Sequence, residues 1–246
     1  MRRSNRRGFL VLATSAAGLI ALPRVWTWLR PLPGAAPHPD VPGFYLLDAG
    51  PVTGSADPFI GLDAPGNRIP AARIDAPCTA LFDQPVPAGR VPVAFFTDIN
   101  CSYCRDMEPR IAALPADKVA VTWHDLPLLG PSSVAGARAI VAAALQGEGK
   151  GAALRHRITR SRVQPDPSYL AALAEAAGLN ADRLLADMNG PEVTAKLSTT
   201  LGLAALFGIY GTPALVVGRT LAVGARPMAQ IDTMIAETPP GPAACS

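Results

Sequence analysis

The sequence predicts an α/β fold in which a β-α-β half and a β-β-α half are separated by a block of helices. Three observations carry this reading. Residues 91–97 form an apolar run, 101–114 have helical spacing, and 118–124 alternate with β-branched residues. Further on, 214–217 and 221–223 flank Gly218-Arg219-Thr220 as a hairpin, and 228–237 follow with Ile231, Met234 and Ile235 on one helical face. Between these halves, over about 131–207, only helical patterns occur, and the chain has no internal repeat.

Each element has a local reason. An unbroken apolar run such as 91–97 suits a strand buried on both faces, and strand, helix and strand of these lengths imply a parallel crossover. Pro109 inside the first helix is expected to kink it, turning its later part toward the sheet. Pro131-Ser132-Ser133 starts a helix with Val134, Ala137, Ile140, Val141 and Leu145 on its apolar face, ending at Gly147. Asp166 caps the next, with Pro167 at its first position and Tyr169, Leu170, Leu173 and Ala177 inward. Asn180 caps a short helix through Leu184, Leu185 and Met188, and Pro191 opens another with Val193, Leu197, Leu201 and Ala204 on one side. Upstream, residues 23–92 hold more than half of the 26 prolines, a density at which no helical period survives. Phe44-Tyr45-Leu46-Leu47 and Phe59-Ile60-Gly61-Leu62 are candidates there for edge strands or for segments lying along a neighbouring domain.

The N-terminus has the layout of an export signal. Residues 1–7 are basic, 9–22 are apolar but short for a bilayer, and Pro23 ends the run. Asn5-Arg6-Arg7-Gly8-Phe9-Leu10 resembles the bacterial twin-arginine signal, with Asn5 where Ser or Thr is usual and Val11 where Lys is frequent; an ordinary secretory signal is the alternative. Gly34-Ala35-Ala36 fits a cleavage site loosely, which leaves open an uncleaved membrane anchor with Trp26 and Trp28 at the interface. The organisation expected is therefore a signal over 1–36, a proline-rich arm over 37–88 and the α/β domain over 89–240. About 210 residues beyond the signal suffice for one domain with an extension. The formal net charge is +3, much of the basic excess lies in the signal, and charge gives no reason to expect a nucleic-acid partner.

Cys101-Ser102-Tyr103-Cys104 carries the chemistry. Two thiols separated by two residues at a helix start can close a small disulfide ring, and the helix start favours the thiolate of the first. Cys101, expected to be exposed, is the candidate nucleophile and Cys104 the resolving thiol. Ser102 and Tyr103 bring no positive charge, so a moderate depression of the Cys101 pKa is expected. A zinc site lacks a second C-x-x-C or H-x-x-x-H, so no metal is expected, and a purely structural ring this small constrains little chain. Cys78 and Cys245 either form a structural disulfide tying the arm to the tail or are two unrelated thiols. Asp98 is expected as a solvated strand-end acid, with a hydrogen-bond acceptor near the site as the alternative; His124 as a satisfied structural histidine, with a proton shuttle as the alternative; and Trp123 as core or as a border of an apolar groove with Tyr103. His38 and His156 receive no role.

The segment FFTDINCSYCRDMEP resembles the active-site segment of exported bacterial disulfide oxidoreductases of the DsbA family, and its Thr-Asp-Ile run is similar to the DsbC and DsbG isomerases. YGTPALVVG resembles the family's loop, and the helical stretch with Pro127-Leu128-Leu129-Gly130-Pro131-Ser132-Ser133 is closer to the DsbA-like branch. Covering about residues 89–237, the resemblance implies a thioredoxin-like fold with a helical insertion and a cis Thr212–Pro213 bond beside the dithiol. It implies a periplasmic thiol:disulfide oxidoreductase with Thr212, Pro213 and Tyr103 on the substrate side and no organic cofactor. The expected partners are reduced or misoxidised exported proteins and a membrane redox partner. The alternatives are an isomerase or reductase of the same fold, a substrate-holding module, or a copper chaperone using Cys101 and Cys104, for which Met107 is the one methionine close in sequence.

Overall fold

The computed structural model describes residues 32–54, 69–82, 85–161, 166–241 and 244–245. The expected export signal, up to residue 31, and the Phe59-Ile60-Gly61-Leu62 piece lie outside the described residues. In chain order the elements are β1 (Ala36–Pro37), β2 (Tyr45–Leu46), α1 (Pro77–Phe82), β3 (Val91–Thr97), α2 (Ser102–Ala112), β4 (Val119–Asp125), α3 (Pro131–Ala144), α4 (Lys150–Arg160), α5 (Pro167–Ala176), α6 (Ala181–Asp187), α7 (Pro191–Leu206), β5 (Ala214–Val217), β6 (Thr220–Val223) and α8 (Met228–Glu237).

They form one mixed sheet in the order β1-β2-β6-β5-β3-β4. β3 and β4 are parallel, in register from Val91↔Val119 to Thr97↔Asp125, as the intervening crossover helix requires. β5 runs antiparallel to both β3 and β6, and Val217 pairs with Thr220 across the two-residue turn Gly218-Arg219. Gly218 has φ +54°, the left-handed conformation such a hairpin turn needs.

Alternation along the central strands builds two cores. Ala94, Phe96, Ala214, Val216, Leu221 and Val223 face the helical insertion. Val91, Val93, Phe95, Leu215, Val217 and Ala222 face α2 and α8 through Met107, Ile111, Ile231 and Met234. β3 is buried along its whole length because both of its faces are used. At roughly 1.5–3 kcal/mol per fully buried large side chain, Phe95 and Phe96 alone are a substantial reason for β3 to sit centrally.

The arm joins the sheet, as the strand reading of Phe44-Tyr45-Leu46-Leu47 allows, since β2 pairs in parallel with β6 and β1 with β2. It also contains the helix α1, which survives the surrounding prolines because Pro77 occupies its first position, where a missing N–H costs nothing. Among the described residues five helices rather than four separate β4 from β5; α4 has no simple apolar period because its buried face mixes Leu154 and Ile158 with Gly151, Arg155 and Thr159. Leu145, expected on the apolar face of α3, is exposed just past the helix end, whereas Val134, Ala137 and Ile140 are buried as expected and are joined by the small residues Gly136, Ala139, Ala142 and Ala143. α2 runs unbroken through Pro109.

Candidate active site

The end of β3 delivers the dithiol. Cys101 is the N-cap of α2: its backbone is extended (φ −78°, ψ 119°) and its Sγ accepts a hydrogen bond from the Cys104 N–H at 3.1 Å. As a thiol it donates to the Thr212 carbonyl at 3.2 Å. The Thr212–Pro213 bond is cis and both residues are buried, so the loop before β5 closes over the sulfur. The expected exposure of Cys101 is corrected here: only 1% of its surface is accessible, because residues of this loop and of the arm cover it. Tyr103 projects outward, 39% exposed.

The two thiols are driven apart electrostatically. The Cys101 pKa is lowered to about 6, chiefly by the hydrogen bond from the Cys104 thiol. Burial opposes this, and the Thr212 and Thr53 side chains and the Cys104 N–H assist it. Cys104 is pushed far above the ordinary thiol range by burial, then by the hydrogen bond it gives Cys101 and by the charge on Cys101. One sulfur is therefore an anion at neutral pH and its partner a thiol that keeps its proton.

Beneath Cys104 lies a network that the sequence reading missed. Thr97 Oγ1 donates to Glu108 Oε1 at 2.6 Å and also hydrogen bonds to Cys104. Glu108 is buried on α2, and burial raises its pKa to about 7, opposed by the Thr97 bond and the charge of Arg155. Arg155 is itself held by Asp125 through bonds of 2.6 and 3.1 Å and lies over the Trp123 ring at 4.8 Å. A signal was available: Cys104, Glu108 and Ile111 share one face of α2, which places a carboxylate on an otherwise apolar stripe.

Asp98 is also corrected. It is buried, and its carboxylate accepts from Asn100 N–H (2.8 Å), Ser133 Oγ (2.6 Å), Leu128 N–H (2.8 Å) and Leu129 N–H (3.1 Å). Burial raises its pKa and these four bonds lower it again. With Asn100 Nδ2 donating to Ser132 and Ser133, it fastens the loop before Cys101 to the start of α3. Asp98→Ala leaves the buried Leu128 N–H and Ser133 hydroxyl and the part-buried N–H groups of Asn100 and Leu129 without their acceptor, so a loss of about 3 kcal/mol of unfolding free energy is expected, measured by urea denaturation.

The remaining candidates sort as follows. His124 is fully buried, gives Nε2–H to Leu81 O at 2.9 Å and stacks on Phe96, a structural role. Trp123 packs edge-to-face on Phe95 and under Arg155, so it belongs with the core rather than with Tyr103. His38, given no role from sequence, accepts from the Asp40 and Val41 N–H groups and meets Phe207 O at 3.3 Å, pinning the arm to the end of α7. His156 is exposed on α4. Cys78 and Cys245 are joined by a disulfide that spans 167 residues of chain, a loop for which chain entropy alone gives roughly 5 kcal/mol. Met107 lies in the core with Phe95 and Ile111, and no cluster of three His, Cys, Asp or Glu suited to a metal occurs among the described residues.

A helix-capping thiolate, a buried thiol one turn on and a cis-proline loop against the first define a thiol:disulfide oxidoreductase of thioredoxin-like fold. The chain belongs to the family of DSBA-like thioredoxin domains, whose profile matches residues 92–236. It is similar to a thioredoxin-like oxidoreductase from Silicibacter pomeroyi DSS-3, with 31% identity and a TM-score of 0.58 over 64% of this chain and 94% of that one. A periplasmic thioredoxin-like protein from Salmonella enterica serovar Typhimurium is 26% identical, with a TM-score of 0.56 over 68% of this chain and 98% of that one. The thiol-disulfide exchange protein alpha-DsbA2 from Wolbachia pipientis shares the fold at 21% identity, TM-score 0.59, over 65% of this chain and 90% of that one. No curated protein matches the sequence.

Proposed function

We propose that the protein is exported to the periplasm and there donates the Cys101–Cys104 disulfide to reduced protein substrates, being reoxidised afterwards by a membrane redox partner. The observation that carries this direction is the Cys101 pKa of about 6. Stabilising the thiolate stabilises the reduced form, which makes the disulfide form a better oxidant. In the forward reaction a substrate thiolate attacks Cys101 Sγ, forming a mixed disulfide as the Cys101–Cys104 bond breaks, and Cys104 leaves and takes up a proton. A second substrate thiolate then attacks the substrate sulfur and releases Cys101 as a thiolate. Two electrons pass from the substrate dithiol to the 101/104 pair.

Export is supported by the basic and apolar layout of residues 1–22, by a Cys78–Cys245 disulfide suited to an oxidising compartment, and by the periplasmic description of the Salmonella relative. No helix among the described residues is long and apolar enough to cross a membrane. The isomerase alternative loses support from two observations. Asp98 in the isomerase-like run is occupied as a loop fastener, and the described part of the arm folds onto the sheet. Oxidative refolding of reduced ribonuclease is expected to be accelerated, with little rescue of a scrambled form; the opposite pattern would assign the isomerase reaction.

A further inference from the structure

The peptide-pairing groups of the active-site loop are already in use by the chain itself. Gly50 N–H donates to Val223 O at 2.7 Å and Ala225 N–H to Pro51 O at 2.8 Å. Thr53 and Thr212 then exchange both bonds of an antiparallel bridge, Thr53 N–H to Thr212 O at 2.8 Å and Thr212 N–H to Thr53 O at 3.1 Å. The approach is too close for side chains at two glycines and tight at a third. A Cβ on Gly224 would lie 2.4 Å from the Gly50 carbonyl, one on Gly50 2.5 Å from Ala225 O, and one on Gly211 3.0 Å from Val52 Cβ. Thr53 also reaches the reacting groups, its hydroxyl standing 3.3 Å from that of Ser102 and hydrogen bonding to Cys101.

A substrate segment lying across Cys101 needs these same groups. An extended peptide binds an open backbone edge through its N–H and C=O, and Thr212 has one of each, which one antiparallel strand can satisfy at a time. Thr212 is fully buried, so leaving that pair empty between turnovers would be costly. We propose that residues 51–54 are a built-in strap occupying the peptide seat of the dithiol site, displaced by strand exchange when an extended, cysteine-bearing segment of a protein substrate binds. The inference rests on the exchange reaction proposed above. A partner able to pair with Thr212 regains the hydrogen bonds that lifting the strap gives up, and a partner without an extended backbone does not. The strap therefore selects for unfolded segments and shields the Cys101 thiolate in their absence.

The test uses the reduced full-length protein and a cysteine peptide carrying thionitrobenzoate in disulfide linkage. Cys101 attacks the peptide sulfur, the Cys101–peptide bond forms, and coloured thionitrobenzoate leaves as a thiolate. Thr53→Pro and Thr53→Val both lose the hydroxyl near Cys101, but only the proline variant also loses the N–H given to Thr212, so Thr53→Val is its reference. Thr53→Pro is expected to react about tenfold faster than Thr53→Val. Equal rates for the two variants overturn the strap while leaving the exchange reaction standing, and no reaction with either variant or the wild type overturns the exchange reading itself. Amide hydrogen exchange gives a reading independent of how the proline variant folds. In the Cys104→Ala protein trapped as a mixed disulfide with the peptide, the Thr53 amide is expected to lose protection at least tenfold while Thr212 keeps it. Retained protection at Thr53 overturns the proposal.

Discussion

Replacing Cys101 with serine is expected to abolish disulfide exchange, because a hydroxyl at the α2 N-cap can form no bond to a substrate sulfur. The wild-type dependence on pH follows from the same atom. With its pKa lowered to about 6, the reactive thiolate fraction rises through pH 6 and is near its plateau at neutral pH. Alkylation of the reduced protein by iodoacetamide, or the ultraviolet absorbance of the thiolate, should show that midpoint. Both signals should vanish in Cys101→Ser. In Cys104→Ala the midpoint should move up, since the hydrogen bond from the Cys104 thiol is the largest influence holding it down. A midpoint in the ordinary thiol range in the wild-type protein would remove the basis for an oxidising direction.

Stability responds to pH with a defined sign. The folded-state pKa of Cys101 lies below that of an unfolded thiol, so the native state of the reduced protein binds fewer protons than the unfolded chain in this range. Its contribution is fully present above the unfolded value of about 8.5 and is lost as pH falls through about 6. The oxidised protein has no thiolate and lacks this contribution. The gap in stability between reduced and oxidised forms should therefore narrow on acidification.

The central architecture is legible in the sequence because periodicity and burial coincide there. The run at 91–97 is apolar on both faces, and the structure uses both; Ile231 and Met234 have helical spacing and enter the core. What sequence could not convey is where distant polar groups meet. Asp98 reads as a surface acid until the 127–133 loop, about 30 residues away, folds over it and donates two N–H groups. α4 hides because Arg155 faces inward and is neutralised by Asp125 from β4, a pairing that no local pattern contains. The dithiol itself is a local motif and could be read directly. Its covering could not, since Thr53 arrives from an arm whose prolines suggest only the absence of regular structure.

The second large effect is expected at Glu108. In a mixed disulfide Cys101 carries no charge, which removes two of the influences that raise the Cys104 pKa, but burial, the largest, persists. Cys104 must still lose its proton to attack, and regain one when it leaves in the oxidising direction. Thr97 Oγ1 touches both Cys104 and Glu108, so a proton leaving the sulfur can pass through one hydroxyl to a carboxylate whose pKa, raised to about 7, matches neutral pH. Glu108→Gln keeps the shape and a hydrogen-bonding side chain while losing the base. The step that resolves the mixed disulfide is expected to slow by about a hundredfold, with mixed disulfides accumulating on acid-quenched gels. The initial attack by Cys101, whose pKa is set mainly by Cys104, should change far less. Resolution in the wild-type protein should rise through pH 7, and that inflection should be missing in the glutamine variant. A loss of packing alone would slow resolution at every pH and leave the inflection in place, which separates a proton relay from a merely structural carboxylate.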